Sequence, residues 1–258
     1  MSGSNPWAPR KFPTIPLLIE EVRAGKFRAI SRAITLLESD GPERRSVLET
    51  LGPFSNRARI IGVTGYPGAG KSTMIDQLIT AYRSQGKTVG VLAVDISSSL
   101  TGGAILGDRI RMQNHSLDKH VFIRSMGTRG HQGGLTRVTK DAIHLLDATG
   151  FDIILIETIG MGQEEGEIAQ LAQTVVLVVT PDLGDDVQAM KAGILEVAHI
   201  VVVNKADHHG ALPTLQSLRE WVPEVVLVTA TTGEGIQSLV EAITVHQQSR
   251  EVEAPVSG

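Results

Sequence analysis

From Arg59 onward the chain alternates between short, nearly continuous apolar runs rich in Val and Ile and longer stretches with apolar residues at helical spacing. The runs predict strands at residues 60–64, 88–94, 121–123, 152–156, 174–179, 200–203 and 225–228. Helices are predicted between most of them, at 72–84, 135–149, 186–197, 212–221 and 235–246. Strands that are apolar on both faces and linked by helices form a mostly parallel sheet covered on both sides, an α/β fold.

The first 58 residues have a different texture. Leu18, Ile19, Val22, Phe27, Ile30, Ile34 and Leu37 fall at helical spacing, Gly25 marks a division into two helices, and 43–51 offers one more before Gly52-Pro53. The expected organisation is a helical N-terminal extension over 1–58, a main domain over 59–249 and a frayed tail over 250–258.

Composition narrows the chemistry. The 258 residues include no cysteine, which excludes disulfides, Cys-ligated zinc, iron–sulfur clusters and thiol nucleophiles. A net charge of −4 gives no electrostatic footprint for nucleic acid. The 27 glycines and 3% aromatic residues suit a nucleotide-binding α/β protein better than an all-β sandwich. Met1 to Arg10 holds no apolar core for a signal peptide, and the apolar runs fall far short of the roughly 20 residues that span a bilayer. A cytoplasmic protein without a membrane partner is expected.

One motif carries the chemistry. Gly65-Tyr66-Pro67-Gly68-Ala69-Gly70-Lys71-Ser72 fits the phosphate-binding loop pattern G-x-x-x-x-G-K-[ST], between a predicted strand and a predicted helix that also contains Thr73. The glycines let successive N–H groups converge on phosphate oxygens, and the helix N-terminus adds positive potential. Lys71 can reach the β- and γ-phosphates, and the Ser72 hydroxyl can ligate Mg²⁺. Asn204-Lys205-Ala206-Asp207 ends a later strand. Its carboxylate can accept from both the N1–H and the exocyclic amine of guanine, whereas adenine would leave it unpaired. Thr229, Ala230 and Thr231 follow the last strand, where their backbone can meet the base.

Asp95 and Glu157 also end predicted strands, where parallel-sheet geometry converges on the nucleotide, and both read as Mg²⁺ ligands. Lys71 and Glu157 are the candidate catalytic residues. Asp108 lies in a glycine-flanked segment, where a metal ligand and a solvated loop acid are equal readings. Gly160 to Gly166 misses the dinucleotide fingerprint because its third glycine comes one position late, and it reads instead as a phosphate-sensing switch loop. His208 and His209 read as a solvated loop.

With these residues in hand, the 62–73 stretch resembles the MeaB/ArgK-type GTPases, chaperones of adenosylcobalamin-dependent acyl-CoA mutases. The likeness runs through 94–99, 101–108, 124–134, 157–163, 185–191 and the guanine motif, covering roughly Leu17 to Val245. It implies a parallel-sheet GTPase domain of the SIMIBI class and a GTP state that controls loading, protection and off-loading of the B12 cofactor on a partner mutase. By motif match, Asp95, Asp108 and Glu157 fall on the family's Mg²⁺-associated acids, and 125–134 and the stretch after Thr180 on its switch regions.

The chain departs from the family in places. Ile96 stands where many members have proline, Thr229-Ala230 replaces Ser-Ala, and the segment between Asp207 and Val225 is short. It ends soon after His246 without the long arm with which some members dimerise, so a homodimer rests on resemblance alone. After Asp118-Lys119-His120 the pattern D-x-H-x-x-G fails at Ile123, so adenosylcobalamin is expected only through the partner.

The competing readings are a nickel- or other metal-delivery GTPase and a signal-recognition-type targeting GTPase. The first lacks the expected cysteines and histidine-rich tract, and the second would show Asp-Thr-Ala-Gly-Arg where this chain has Glu157-Thr158-Ile159-Gly160. No residue obviously positions an attacking water; Gln163, Arg124, Arg129 and Arg137 are the nearest candidates for completing the site. Slow hydrolysis, stimulated by a partner, is the expectation.

Overall fold

The computed structural model describes residues 14–39, 41–95, 115, 117–127, 134–158, 164–181 and 194–253. Seven strands form one parallel sheet: β1 (Arg59–Gly65), β2 (Val89–Asp95), β3 (Val121–Gly127), β4 (Ile153–Thr158), β5 (Thr174–Val179), β6 (Ile200–Asn204) and β7 (Val225–Val228). Their order across the sheet is β3-β2-β4-β1-β5-β6-β7. The phosphate loop therefore leaves a central strand, flanked by β4 and β5, where α/β sheets bind their ligands.

Nine helices lie among the described residues. They are α1 (Ile15–Arg23), α2 (Phe27–Leu37), α3 (Pro42–Leu51), α4 (Lys71–Ser84), α5 (Gly134–Thr149), α6 (Glu164–Leu171), α7 (Ile194–Val197), α8 (Ala211–Arg219) and α9 (Ile236–Glu253). Alternation along each strand sorts them into two layers. Ile61, Val63, Val91, Leu155, Val176 and Val202 face α4 and α9. The opposite face, through Ile60, Leu92, Ile154, Ile156 and Val175, packs against α1, α2, α3, α5 and α6. The N-terminal helices thus share their core with the sheet. Gly25, at φ +71°, is the break between α1 and α2.

Three elements differ from their sequence expectation. β3 runs four residues beyond 123, because it pairs with β2 along its whole length to Asp95↔Gly127. Arg124 and Ser125 interrupt the apolar run there without interrupting the ladder. The segment read as a switch loop up to Gly166 enters helix α6 at Glu164, and Ile168 of that helix is buried against Gly62 of β1. Finally, α9 continues through Glu253, where a frayed tail was expected. Arg250 anchors it, donating from Nη1 to the Gln173 carbonyl at 2.7 Å.

Candidate nucleotide-binding site

The loop after β1 owes its path to glycine. Gly65 has φ +140°, and a Cβ there would run into the Val178 carbonyl; Gly70 has φ +91°, and a Cβ there would strike the Asn204 amide. Gly68, also left-handed at φ +78°, turns the loop between them. Lys71 opens α4 and is 7% exposed. Its Nζ donates to the carbonyls of Gly65 at 2.7 Å and Tyr66 at 3.0 Å, so the charge sits inside the curl of its own loop.

Ser72 follows and donates from Oγ to Glu157 Oε1 at 2.6 Å. Glu157 is buried near the end of β4, in register with Val63 of β1. A hydroxyl bond of 2.9 Å from Thr158 to Thr64 braces the same two strand ends. The pair Ser72–Glu157 offers two hard oxygen atoms of the kind Mg²⁺ prefers. Among the described residues no cluster of three or more His, Cys, Asp or Glu side chains is arranged for a metal. The backbone of Asp95 closes β2, the strand beside β4, while Asp108, Gln163 and Arg129 lie outside the described residues.

At the other end of the pocket, Asn204 closes β6. Its Nδ2 donates to the Ala69 carbonyl at 2.7 Å, and its Oδ1 accepts from the Ala230 N–H at 3.0 Å. One buried side chain thereby ties the phosphate loop to the segment after β7. Lys205 adopts a left-handed φ of +58°, and the Ala206 N–H then donates to Val228 O at 3.1 Å, which carries Asp207 to the pocket wall. After β7, Thr229 bridges to Glu234, and Ala230 and Thr231 line the cavity.

The cavity measures about 560 Å³. Pro67, Gly68, Gly70, Lys71, Ser72 and Thr73 form one side with Glu157; Asn204, Lys205, Asp207 and the 229–231 segment form the other. Gly65 and Ala69 shape the loop without lining the space. His208 sits in an exposed bend, as its sequence reading had it, and also lines the cavity, its Nε2 3.9 Å from the Asp207 carboxylate. Its position directly after Asp207 was the available signal. Arg124 does not line the cavity: its Nη2 donates to Thr35 Oγ1 of α2 and to Glu38 Oε1 just after that helix, each at 3.1 Å.

A family model described as methylmalonyl-CoA mutase-associated GTPase MeaB matches residues 30–254. The chain belongs to the MeaB family. A Pyrococcus horikoshii protein named as a GTPase is 49% identical, over 90% of this chain and 77% of its own length. The mouse mitochondrial methylmalonic aciduria type A homolog is 37% identical, over 83% of this chain and 59% of its own. Among solved structures, one described as a LAO/AO transport system kinase is similar with a TM-score of 0.68 and 25% identity, over 95% of this chain and 83% of that one. As a member of the MeaB family the protein is a GTPase, hydrolysing GTP to GDP and phosphate. No described helix of this MeaB-family chain is long and apolar enough to cross a membrane.

Proposed function

We propose that the pocket holds GTP with its phosphates in the loop from Gly65 to Thr73 and its guanine against Asp207, and that the nucleotide state gates loading and protection of adenosylcobalamin on a partner acyl-CoA mutase. The observation that carries the nucleotide reading is the double hydrogen bond of Asn204, which joins the two motifs into one cavity. In it, Lys71 stabilises charge on the transferring γ-phosphoryl group. Ser72 and Glu157 would hold Mg²⁺, with Asp95 and Asp108 as further acids; the bound ion would neutralise charge on the β- and γ-phosphates. The family description and the mouse relative's name support a mutase as partner.

Hydrolysis in isolation should be slow. Of the candidates for completing the site, Arg124 is committed to Glu38, and Gln163 and Arg129 lie outside the described residues. A partner that supplies positioning or charge can add several powers of ten in rate. Single-turnover GTP hydrolysis with and without the adenosylcobalamin-dependent mutase of the same organism tests the reading. Stimulation of at least about tenfold is expected. Hydrolysis unchanged by the mutase would remove the chaperone role and leave the GTPase.

A further inference from the structure

A second cleft lies toward the N-terminal ends of the strands, away from the nucleotide pocket at their C-terminal ends, between α5 and α6, with Ile60 at the start of β1 in its wall. Its volume of about 450 Å³ falls in the range of small-molecule sites. Phe54 and Leu171 supply apolar surface, and Phe54 stays 42% exposed while standing edge-on to the His144 ring at 5.6 Å.

The polar groups of this cleft are unbalanced in sign. Lys140 is exposed and has no hydrogen-bond or ion-pair partner among the described residues. Arg250 donates one bond to Gln173 O, and a guanidinium carries five N–H groups. The one carboxylate in the wall, Asp141, is already matched by Arg44 at 2.6 Å. His144 also lines the cleft, yet its buried Nε2 finds no hydrogen-bond partner among the described residues. That nitrogen is enclosed, so a ligand in the cleft would meet the rest of the ring, beside Phe54.

Apolar walls and two uncompensated cations define one ligand chemistry. We propose that this cleft binds a small amphipathic anion, an aliphatic carboxylate whose apolar body lies against Phe54 and Leu171 and whose head is held by Lys140 and Arg250. The site is separate from the nucleotide pocket, and the inference stands or falls independently of the GTPase reading.

Calorimetric titration of the full chain, loaded with GDP, with hexanoate and with hexylammonium tests it. Hexanoate should bind with a Kd on the order of 1 mM or tighter, and hexylammonium about tenfold more weakly or worse. Lys140→Glu should weaken hexanoate by about tenfold or more while leaving GDP affinity unchanged, which shows that the variant is folded. Ring resonances of His144, assigned by their loss in His144→Gln, should shift on adding hexanoate. Equal binding of the two probes, no saturable binding of hexanoate at millimolar concentrations, an unaltered Kd in Lys140→Glu, or an unmoved His144 signal would each overturn the proposal.

Discussion

Asp207 and Asn204 divide the base end of the pocket between them, and their surroundings make them unequal. Asn204 is 3% exposed and spends both ends of its amide on the backbone of Ala69 and Ala230, so replacing it disturbs the cavity itself. The Asp207 side chain is 58% exposed, and the His208 ring nitrogen Nε2 lies 3.9 Å from its carboxylate. It holds nothing else in place. Its cost in the apo protein is low and its value lies in what it accepts from a base. Asp207→Asn should therefore leave the melting temperature nearly unchanged while reversing base preference, because an amide can donate to the carbonyl that xanthine carries in place of the guanine amine. A loss of GDP affinity of about tenfold or more, with a gain for xanthosine diphosphate, is expected by calorimetry. Unchanged GDP affinity would remove Asp207 from the base site.

The elements are held to one another by a few polar joints that no periodicity announces. Asp147, near the end of α5, shows the pattern. Burial alone would raise its pKa, but the Ser55 hydroxyl and the N–H groups of Ser55, Asn56, Arg57 and Ala58 all donate to it and hold it below the usual carboxylate range. One carboxylate thus fixes the segment between α3 and β1. Asp147→Ala would strand several of those donors and should lower unfolding free energy by about 3 kcal/mol, read by urea denaturation. A change below about 0.5 kcal/mol would mean the linker is held by packing instead. Such joints explain what the sequence hid. The central strands were legible because Val and Ile run unbroken through them, and the pocket was legible because its two motifs sit at strand ends. Helix α6 was not, since Ile168, Ala169 and Leu171 give it only a narrow apolar edge and its fit depends on the bare Gly62 opposite. Nor was the strut from Arg124 to Glu38, two charges 86 residues apart that only the fold brings together.

For the molecule as a whole, the parallel sheet puts nucleotide chemistry at the C-terminal ends of its strands and leaves their N-terminal ends to be joined to the helices. There, His199 precedes β6 and its Nδ1 accepts from the Val175 N–H of β5 at 2.9 Å. His246 of α9 lies against it, ring centroids 4.4 Å apart, with its Nδ1 2.9 Å from the Thr174 hydroxyl oxygen. Burial first, then the proximity of His246 and Arg250, pushes the His199 pKa down from 6.5 to about 4. The folded protein keeps this ring neutral, whereas the unfolded chain takes up a proton below about pH 6.5. Its contribution to stability is therefore complete above pH 6.5 and drains away as pH falls toward 4. The full difference in pKa would be about 3 kcal/mol at about 1.4 kcal/mol per pH unit, and solvent reaching the partly exposed ring reduces that to about 1–2 kcal/mol. His199→Gln can still accept from Val175 but does not titrate. Urea denaturation from pH 7.5 to 4.5 should show the wild type losing more stability than His199→Gln across that interval. Parallel curves would mean that acid loosens the molecule elsewhere, and that the histidine pair joining β5, β6 and α9 is not the joint through which it opens.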